Sequence, residues 1–432
     1  MGKVVKLEPS AKDRPSARPG RAGGRVGAVP RVRRSKTALV LGGGGFTGGV
    51  YEIGALRALD LLSVNRTVNQ FDVYVGTSAG AFIASLAANG VTPEEMMRVV
   101  TRQGPLPFRD VDLADLLRPN VFEAARKSAV LPFKALALLR QLIAQRGEVS
   151  AMDLALGLAN GLPSGLYTGA GIEAYVRRVL NDPDRSDDFR MLEHELYLAA
   201  TDLDSCERIV FGGEDWDDVP ISTAVRASTA LPMVYSPVRV KERDFVDGGI
   251  VSTTNLDIAV EAGARLVFVV NPIVPYVNDF SREMMTLRGP RPRRVSDMGL
   301  AQIGYQSFKM LAYQRLHEMA AHWQERYPGV DIVLIEPASD DELMFETSMM
   351  NFTSRVDIAR HGFQSVTYQL AGDYDNFKEI CDRHGIAISR TRVNKVVKHF
   401  AHERGGRTGG WRKILEQTTG TLLRQSGTGA SD

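Results

Sequence analysis

Phe71-Asp72-Val73-Tyr74-Val75-Gly76-Thr77-Ser78-Ala79-Gly80-Ala81-Phe82-Ile83-Ala84-Ser85-Leu86 joins a short apolar run to an Ala-rich helical pattern through a glycine-flanked serine. Phe71 to Val75 reads as a buried strand, and Ala79 to Asn89 as the helix leaving the turn. A serine between Gly76 and Gly80 on a strand-turn-helix is the nucleophile-elbow pattern. The tight turn lifts Oγ of Ser78 clear of the backbone, and the glycines let neighbouring chain approach. Ser78 is therefore a candidate covalent nucleophile. Without context, the same five residues also describe an ordinary flexible turn.

Upstream, Thr37-Ala-Leu-Val-Leu41 is an apolar strand that runs into Gly42-Gly43-Gly44-Gly45-Phe46-Thr47-Gly48-Gly49, and Val50 to Leu62 is apolar at helical spacing. Several backbone N–H groups thus converge near a helix N-terminus, which makes an anion cradle. Gly43, Gly45 and Gly48 also satisfy G-x-G-x-x-G, with Asp60 and Asp72 as ribose partners in a dinucleotide reading. That reading leaves the glycine-flanked Ser78 without a role. An acyl-transfer enzyme uses both parts, a nucleophile and donors for the oxyanion of its tetrahedral intermediate.

The nucleophile needs a base. His194 precedes a strand pattern, and His317, His322, His361, His384, His399 and His402 fall late, none in a distinctive turn. Phe245-Val246-Asp247-Gly248-Gly249 ends a strand pattern with a carboxylate at a two-glycine turn. In a dry site an aspartate gains basicity, so Asp247 is a candidate to take the serine proton directly. An α/β-hydrolase triad of Ser78, Asp247 and a late histidine such as His317 or His361 is the competing arrangement.

Strand and helix patterns continue to alternate. Leu196 to Ala200, Arg208 to Phe211 and Asp331 to Ile335 read as strands, Arg265 to Val270 as a central strand apolar on both faces, and Ser222 to Ser228 as helical. This alternation predicts a three-layer α/β/α sandwich with a mainly parallel central sheet. Residues 101–165 break it as a helical insertion or lid, whose Pro132 to Ile143 stretch is amphipathic. Met284 to Met298 reads as an exposed loop. Gly304 to Trp323 and Phe352 to Leu370 read as helices, and Met344 to Met350 as a methionine cluster suited to an acyl pocket or to adaptable core.

The chain has 432 residues, 44% of them hydrophobic, and a net charge of only +2. The charge is unevenly placed. Residues 1–36 hold eleven Lys/Arg against two Asp/Glu and residues 390–432 nine against three, which leaves about −13 on the body between them. The expected organisation is a basic disordered tail 1–36, a catalytic region 37–275, a part 276–389 that completes the domain, and a second basic tail 390–432. Two well-separated cysteines, Cys206 and Cys381, exclude a disulfide framework and a zinc site. No apolar run of about 18 residues is present, so the expectation is a cytoplasmic protein that does not span a membrane. The basic tails suit peripheral contact with an anionic inner membrane face, and nucleic acid is not the expected partner.

Taken in order, Gly42 to Gly45 with Gly48 and Gly49, Gly76-Thr-Ser78-Ala-Gly80, Ala227-Ser-Thr-Ala-Leu-Pro232 and Asp247-Gly-Gly249 resemble the bacterial patatin-like phospholipases, over about Thr37 to Pro272. The resemblance implies the patatin-like version of the sandwich and a lipid acyl hydrolase with a Ser-Asp dyad. Ser78 would be the nucleophile, Asp247 the base, the amides of Gly43, Gly44 and Gly45 the oxyanion hole, and Gly76 and Gly80 the elbow glycines. It implies an acyl lipid substrate and no metal or organic cofactor. A catalytically silent lipid-binding protein on the same fold is the reading from another class. The chain departs from the family where Phe46-Thr47 stands in place of the Lys or Arg that often follows the oxyanion glycines, which leaves the lipid class open.

Overall fold

The computed structural model describes residues 35–403, apart from 111, 113–115, 145–161, 280–282, 287–288, 293 and 348. Nearly all of the first expected tail, and the second beyond residue 403, lie outside the described residues. The strands, in chain order, are β1 Thr37–Leu41, β2 Val73–Thr77, β3 Gly165–Tyr167, β4 Glu195–Asp202, β5 Arg208–Phe211 and β6 Met233–Tyr235. They continue as β7 Val238–Val240, β8 Arg243–Asp247, β9 Leu266–Val270, β10 Glu283–Thr286, β11 Gly289–Pro292 and β12 Asp331–Ile335.

Eight of these build one sheet in the order β12-β9-β1-β2-β4-β8-β7, with β5 also on β4. The five strands from β12 to β4 are mutually parallel, while β5, β8 and β7 are antiparallel additions. Alternate residues of each parallel strand enter different cores. Leu39, Leu41, Tyr74, Phe268 and Val333 face one core, and Ala38, Val40, Val75, Val267 and Leu334 the other. Both faces are therefore covered, which is why these strands read as continuous apolar runs. The larger layer contains helix α1 (Gly45–Leu62), helix α2 (Ala79–Ala88) and the Arg355–Gly372 helix. The thinner layer contains the Leu256–Glu261 helix with Leu316 and the fully buried Trp323. This is the expected three-layer α/β/α sandwich with a mainly parallel sheet.

Three segments differ from the sequence reading. Helix α1 starts at Gly45, not Val50, so the glycine run supplies its cap and first turn. Glycine's low helix propensity hid that start. Within Met284 to Met298, expected as a loop, β10 and β11 pair as an antiparallel hairpin followed by a short 3₁₀ turn at Val295–Met298. The segment from 390, expected as a basic tail, begins with the Arg390–Glu403 helix, whose Val393, Val396 and Phe400 are buried in the larger core. Their i, i+3, i+7 spacing makes one apolar stripe among the surrounding Lys and Arg. In the 101–165 insertion the described residues contain the Val121–Ala144 helix, with Pro132 inside it.

Candidate active site

The C-terminal ends of the parallel strands bring the candidate groups together. β1 runs into the glycine loop, and β2 ends at Thr77, one residue before Ser78. Thr77 lies opposite Ala199 on β4, and the next β4 residue, Ala200, lies opposite Asp247 on β8. The register therefore sets Asp247 level with Ser78, although 169 residues separate them in sequence. The hydroxyl of Ser78 donates to Oδ2 of Asp247 at 2.5 Å.

Ser78 has φ 56° and ψ −125°, a backbone conformation that costs a non-glycine residue on the order of 1–3 kcal/mol. Its surroundings hold it there. The Ser78 N–H donates to Oγ of Ser228 at 2.9 Å, and Ser228 donates onward to the Ala199 carbonyl at 2.6 Å. A Cβ on Gly80 would lie 2.3 Å from the carbonyl oxygens of both Leu41 and Gly42, so only glycine lets the start of α2 sit against the end of β1. That contact draws the glycine loop over the serine.

Asp247 is 3% exposed. Burial raises its pKa to about 6, against the opposing pull of the Ser78 hydroxyl and the Gly249 N–H. Gly249 N–H donates to Oδ1 at 2.8 Å, leaving Oδ2 for the serine. The backbone is pinned on both sides, by the Thr201 hydroxyl donating to the Asp247 carbonyl at 3.1 Å and by the Asp247 N–H donating to Ala230 at 2.9 Å. A carboxylate so fixed and dried is a stronger base than one in water.

Gly43 lies beside Ser78, since a Cβ there would be 3.1 Å from Cβ of that serine. Gly44 takes φ 134° and Gly45 φ 63°, turning the chain into α1. Among the described residues the amides of Gly43, Gly44 and Gly45 donate to no backbone carbonyl. With the positive end of α1 behind them, they are available to an anion beside Ser78. Gly76 lies at the end of β2, where a Cβ would be 2.5 Å from Cα of Ala81.

Two connected spaces meet at Ser78. A space of about 280 Å³, including its open side, is lined by Ser78, Asp247, the three glycines, Tyr305, Phe308 and Met349. A larger one of about 940 Å³, including its open mouth, runs along α2 between Phe82, Leu86, Val99, Ile172 and Tyr175. Met349 borders both and touches the glycine loop, accepting the Thr47 N–H at its carbonyl. Of the methionine cluster, Met349 and Met350 line the larger cavity, whereas Met344 belongs to the core.

The histidines whose partners are known are engaged elsewhere. His317 pairs with Glu336, His361 with Asp341, His384 with Asp331 and Ser35, and His322 with the Glu318 carbonyl. Neither His317 nor His361 bonds to Ser78 or Asp247. The dinucleotide alternative loses its ribose partners too, because Asp60 accepts the Val68 N–H and Asp72 accepts from Thr37, at the opposite end of the sheet.

Some participants were not visible in the sequence. Ser228 lies in the Ala227–Pro232 motif, but its bond to the elbow N–H is seen only in the fold. Glu52 on α1 is fully buried behind the Gly42 amide. Burial raises its pKa well above the usual carboxylate range, with the Gly42 amide pulling the other way. Lys309, on the Leu300–Ala321 helix, is 3% exposed and carries its ammonium 4.6 Å from the centre of the Tyr305 ring, which itself lines the cavity at Ser78. Among the described residues it has no carboxylate within ion-pair distance, and burial lowers its pKa to about 8 despite the opposing charge of Asp341. Among the described residues no cluster of His, Cys, Asp and Glu could hold a metal ion.

A family model described as patatin-like phospholipase matches residues 39–260. A probable lipid hydrolase, 463L of Invertebrate iridescent virus 6, is 20% identical over 229 residues, 52% of this chain and 63% of that protein. The uncharacterized protein YqhO of Bacillus subtilis (strain 168) is 25% identical over 218 residues, 47% of this chain and 63% of its own length. The chain thus spans less than two thirds of these curated relatives. Among solved structures, VipD from Legionella pneumophila superposes with a TM-score of 0.36 at 14% identity, covering 78% of this chain and 67% of that one.

Proposed function

The chain belongs to the patatin-like phospholipase family, and from that premise we propose that it hydrolyses carboxylic esters of acyl lipids through Ser78 and Asp247, with no histidine. The observation that carries this reading is the 2.5 Å hydrogen bond from Ser78 to Asp247, set between an apolar cavity and three glycine amides that, among the described residues, donate to no backbone carbonyl. A hydroxyl, a dry carboxylate and oxyanion donors are the parts that acyl transfer requires.

In this mechanism Asp247 takes the proton of Ser78 as Oγ attacks the ester carbonyl. The amides of Gly43, Gly44 and Gly45 hold the oxyanion, each such donor being worth about 3 kcal/mol in the transition state. The carbonyl re-forms, the C–O bond breaks, and Asp247 returns the proton to the departing lipid alcohol. Water then attacks the acyl-enzyme, giving its proton to Asp247 and on to Ser78 as the fatty acid leaves. The apolar walls along α2 would take the acyl chain, while the headgroup stays at the mouth.

Among the described residues no helix is long and apolar enough to cross a membrane. Substrate held in a bilayer would therefore be reached from its surface. The test is release of free fatty acid from a panel of neutral and phosphate-bearing lipids by the wild type and by Ser78→Ala. Loss of turnover and of fluorophosphonate labelling in a folded Ser78→Ala protein is expected. Unchanged turnover in that protein would reject the mechanism, and an unlabelled, inactive wild type would favour a silent lipid-binding protein.

A further inference from the structure

The Val121–Ala144 helix shows an apolar face to solvent. Phe122 is 84% exposed, Phe133 72% and Leu136 49%. At 3.6 residues per turn, the eleven positions from Phe122 to Phe133 make about three turns and about 16 Å, so the two rings project from one side. Arg126, Ala129, Leu136 and Arg140 fall within about 40° of that line. Arg126 and Arg140 are exposed as well.

The helix sequence contains four Lys/Arg and a single carboxylate, Glu123. That carboxylate is occupied by Lys127 at 3.0 Å and by the Ser164 hydroxyl at 2.8 Å. The helix is therefore a net cation whose charge and apolar rings share a face. The apolar surface also continues toward the cavity. The Asn120 N–H donates to Leu166 of β3, β3 pairs with β6, and on this ribbon Leu166 and Met233 are exposed while Tyr235 lines the acyl cavity.

We propose that this face seats the protein on an anionic phospholipid bilayer, with Phe122, Phe133 and Leu136 entering the headgroup boundary and Arg126 and Arg140 meeting lipid phosphates. A protein groove that received the same face would have to bury two guanidinium groups, which is costly without matched carboxylates. At a bilayer surface the arginine stems lie along the apolar layer and their heads stay with the phosphates. The inference rests on the lipid-hydrolase reading only for its purpose, since seating the face would bring the cavity mouth to the substrate.

The test uses the full chain carrying Ser78→Ala, so that no lipid is consumed, and sedimentation with vesicles of phosphatidylcholine alone or mixed in equal parts with phosphatidylglycerol. Binding to the mixed vesicles that weakens with added salt is expected. Phe122→Glu with Phe133→Glu should weaken it about tenfold or more, and Arg126→Glu with Arg140→Glu should abolish the preference for phosphatidylglycerol. In the otherwise wild-type chain, the paired Phe→Glu variant should hydrolyse a monomeric short-chain ester at the normal rate. Vesicle binding unchanged in both pairs of variants would overturn the proposal, as would a wild-type chain that ignores vesicles and instead dimerises through this face. Failure of the hydrolase reading appears separately, as no turnover of the soluble ester.

Discussion

The N–H of Ser78 is bonded not to main chain but to the hydroxyl of Ser228, which passes the bond on to Ala199. The strained elbow thus hangs on one buried side chain from the neighbouring Ile221–Ser228 helix. Ser228→Ala would leave a buried N–H without an acceptor, a loss of about 1–3 kcal/mol that relaxation of the elbow can relieve. Because the relaxed serine no longer faces Asp247 squarely, kcat should fall about ten- to a hundredfold with little change in KM. Steady-state kinetics on a soluble ester, with a melt to confirm folding, decide it. A folded Ser228→Ala enzyme with normal kcat would mean that the elbow does not need this support.

On the proposed mechanism, Asp247 would make activity and stability pull in opposite directions. Its pKa of about 6 in the folded protein exceeds the ordinary 3.8, chiefly because it is buried. Below 3.8 both folded and unfolded chains hold the proton. Between about 4 and 6 only the folded one does, so this group's contribution to stability declines as pH rises through that window and is flat above it. Base catalysis has the reverse sign, and kcat/KM should rise with pH through about 6. Asp247→Asn should abolish turnover and raise the thermal midpoint at pH 7, the gain in stability being at most about 3 kcal/mol and vanishing near pH 4. A variant no more stable at pH 7 than at pH 4, relative to wild type, would contradict the buried-charge account.

Lys309 supplies a cation near the site although Phe46-Thr47 stand after the glycines. It is faced by the Tyr305 ring on its own helix and by the charge of Asp341, which is itself bonded to His361. Lys309→Met should lower kcat/KM for a lysophospholipid about tenfold, and leave a monoacylglycerol of the same chain nearly unaffected. In the wild type the preference for the phosphate-bearing substrate should fade as pH rises through about 8, where the ammonium loses its proton. Equal losses on both substrates would assign Lys309 to structure alone.

What the sequence made legible follows from how local each signal is. β1, β9 and β12 are apolar on both faces, and their runs are plain because nearly every residue meets a core, Thr37 and Asp331 at the strand starts excepted. Ser78 and Asp247 were singled out because turns of unusual glycine content surround them. Lys309 and Glu52 carry no such local mark, since what distinguishes them is burial among groups far away in the chain, and Ser228, though inside the Ala227–Pro232 motif, shows its bond to the elbow only in the fold. The Arg390–Glu403 helix was obscured for a related reason. Its Lys and Arg dominate the composition, while three buried residues determine where it docks.

The length of the acyl chain should be set along α2. That helix leaves Ser78 and reaches Leu86, 2% exposed, about eight residues on, about 12 Å of rise. Phe82 stacks on Tyr175 part-way along, with ring centres 5.8 Å apart, and forms a rigid wall. Leu86→Phe would fill the far end and move the preference toward shorter chains, at a packing cost of about 1–3 kcal/mol. Leu86→Ala would lengthen the cavity and favour longer chains, with a loss of about 2–5 kcal/mol in stability. The profile of kcat/KM over a homologous series of p-nitrophenyl esters reads both shifts directly. Opposite displacements of the optimum in the two variants would place the acyl chain along α2; an identical profile in both would place it elsewhere.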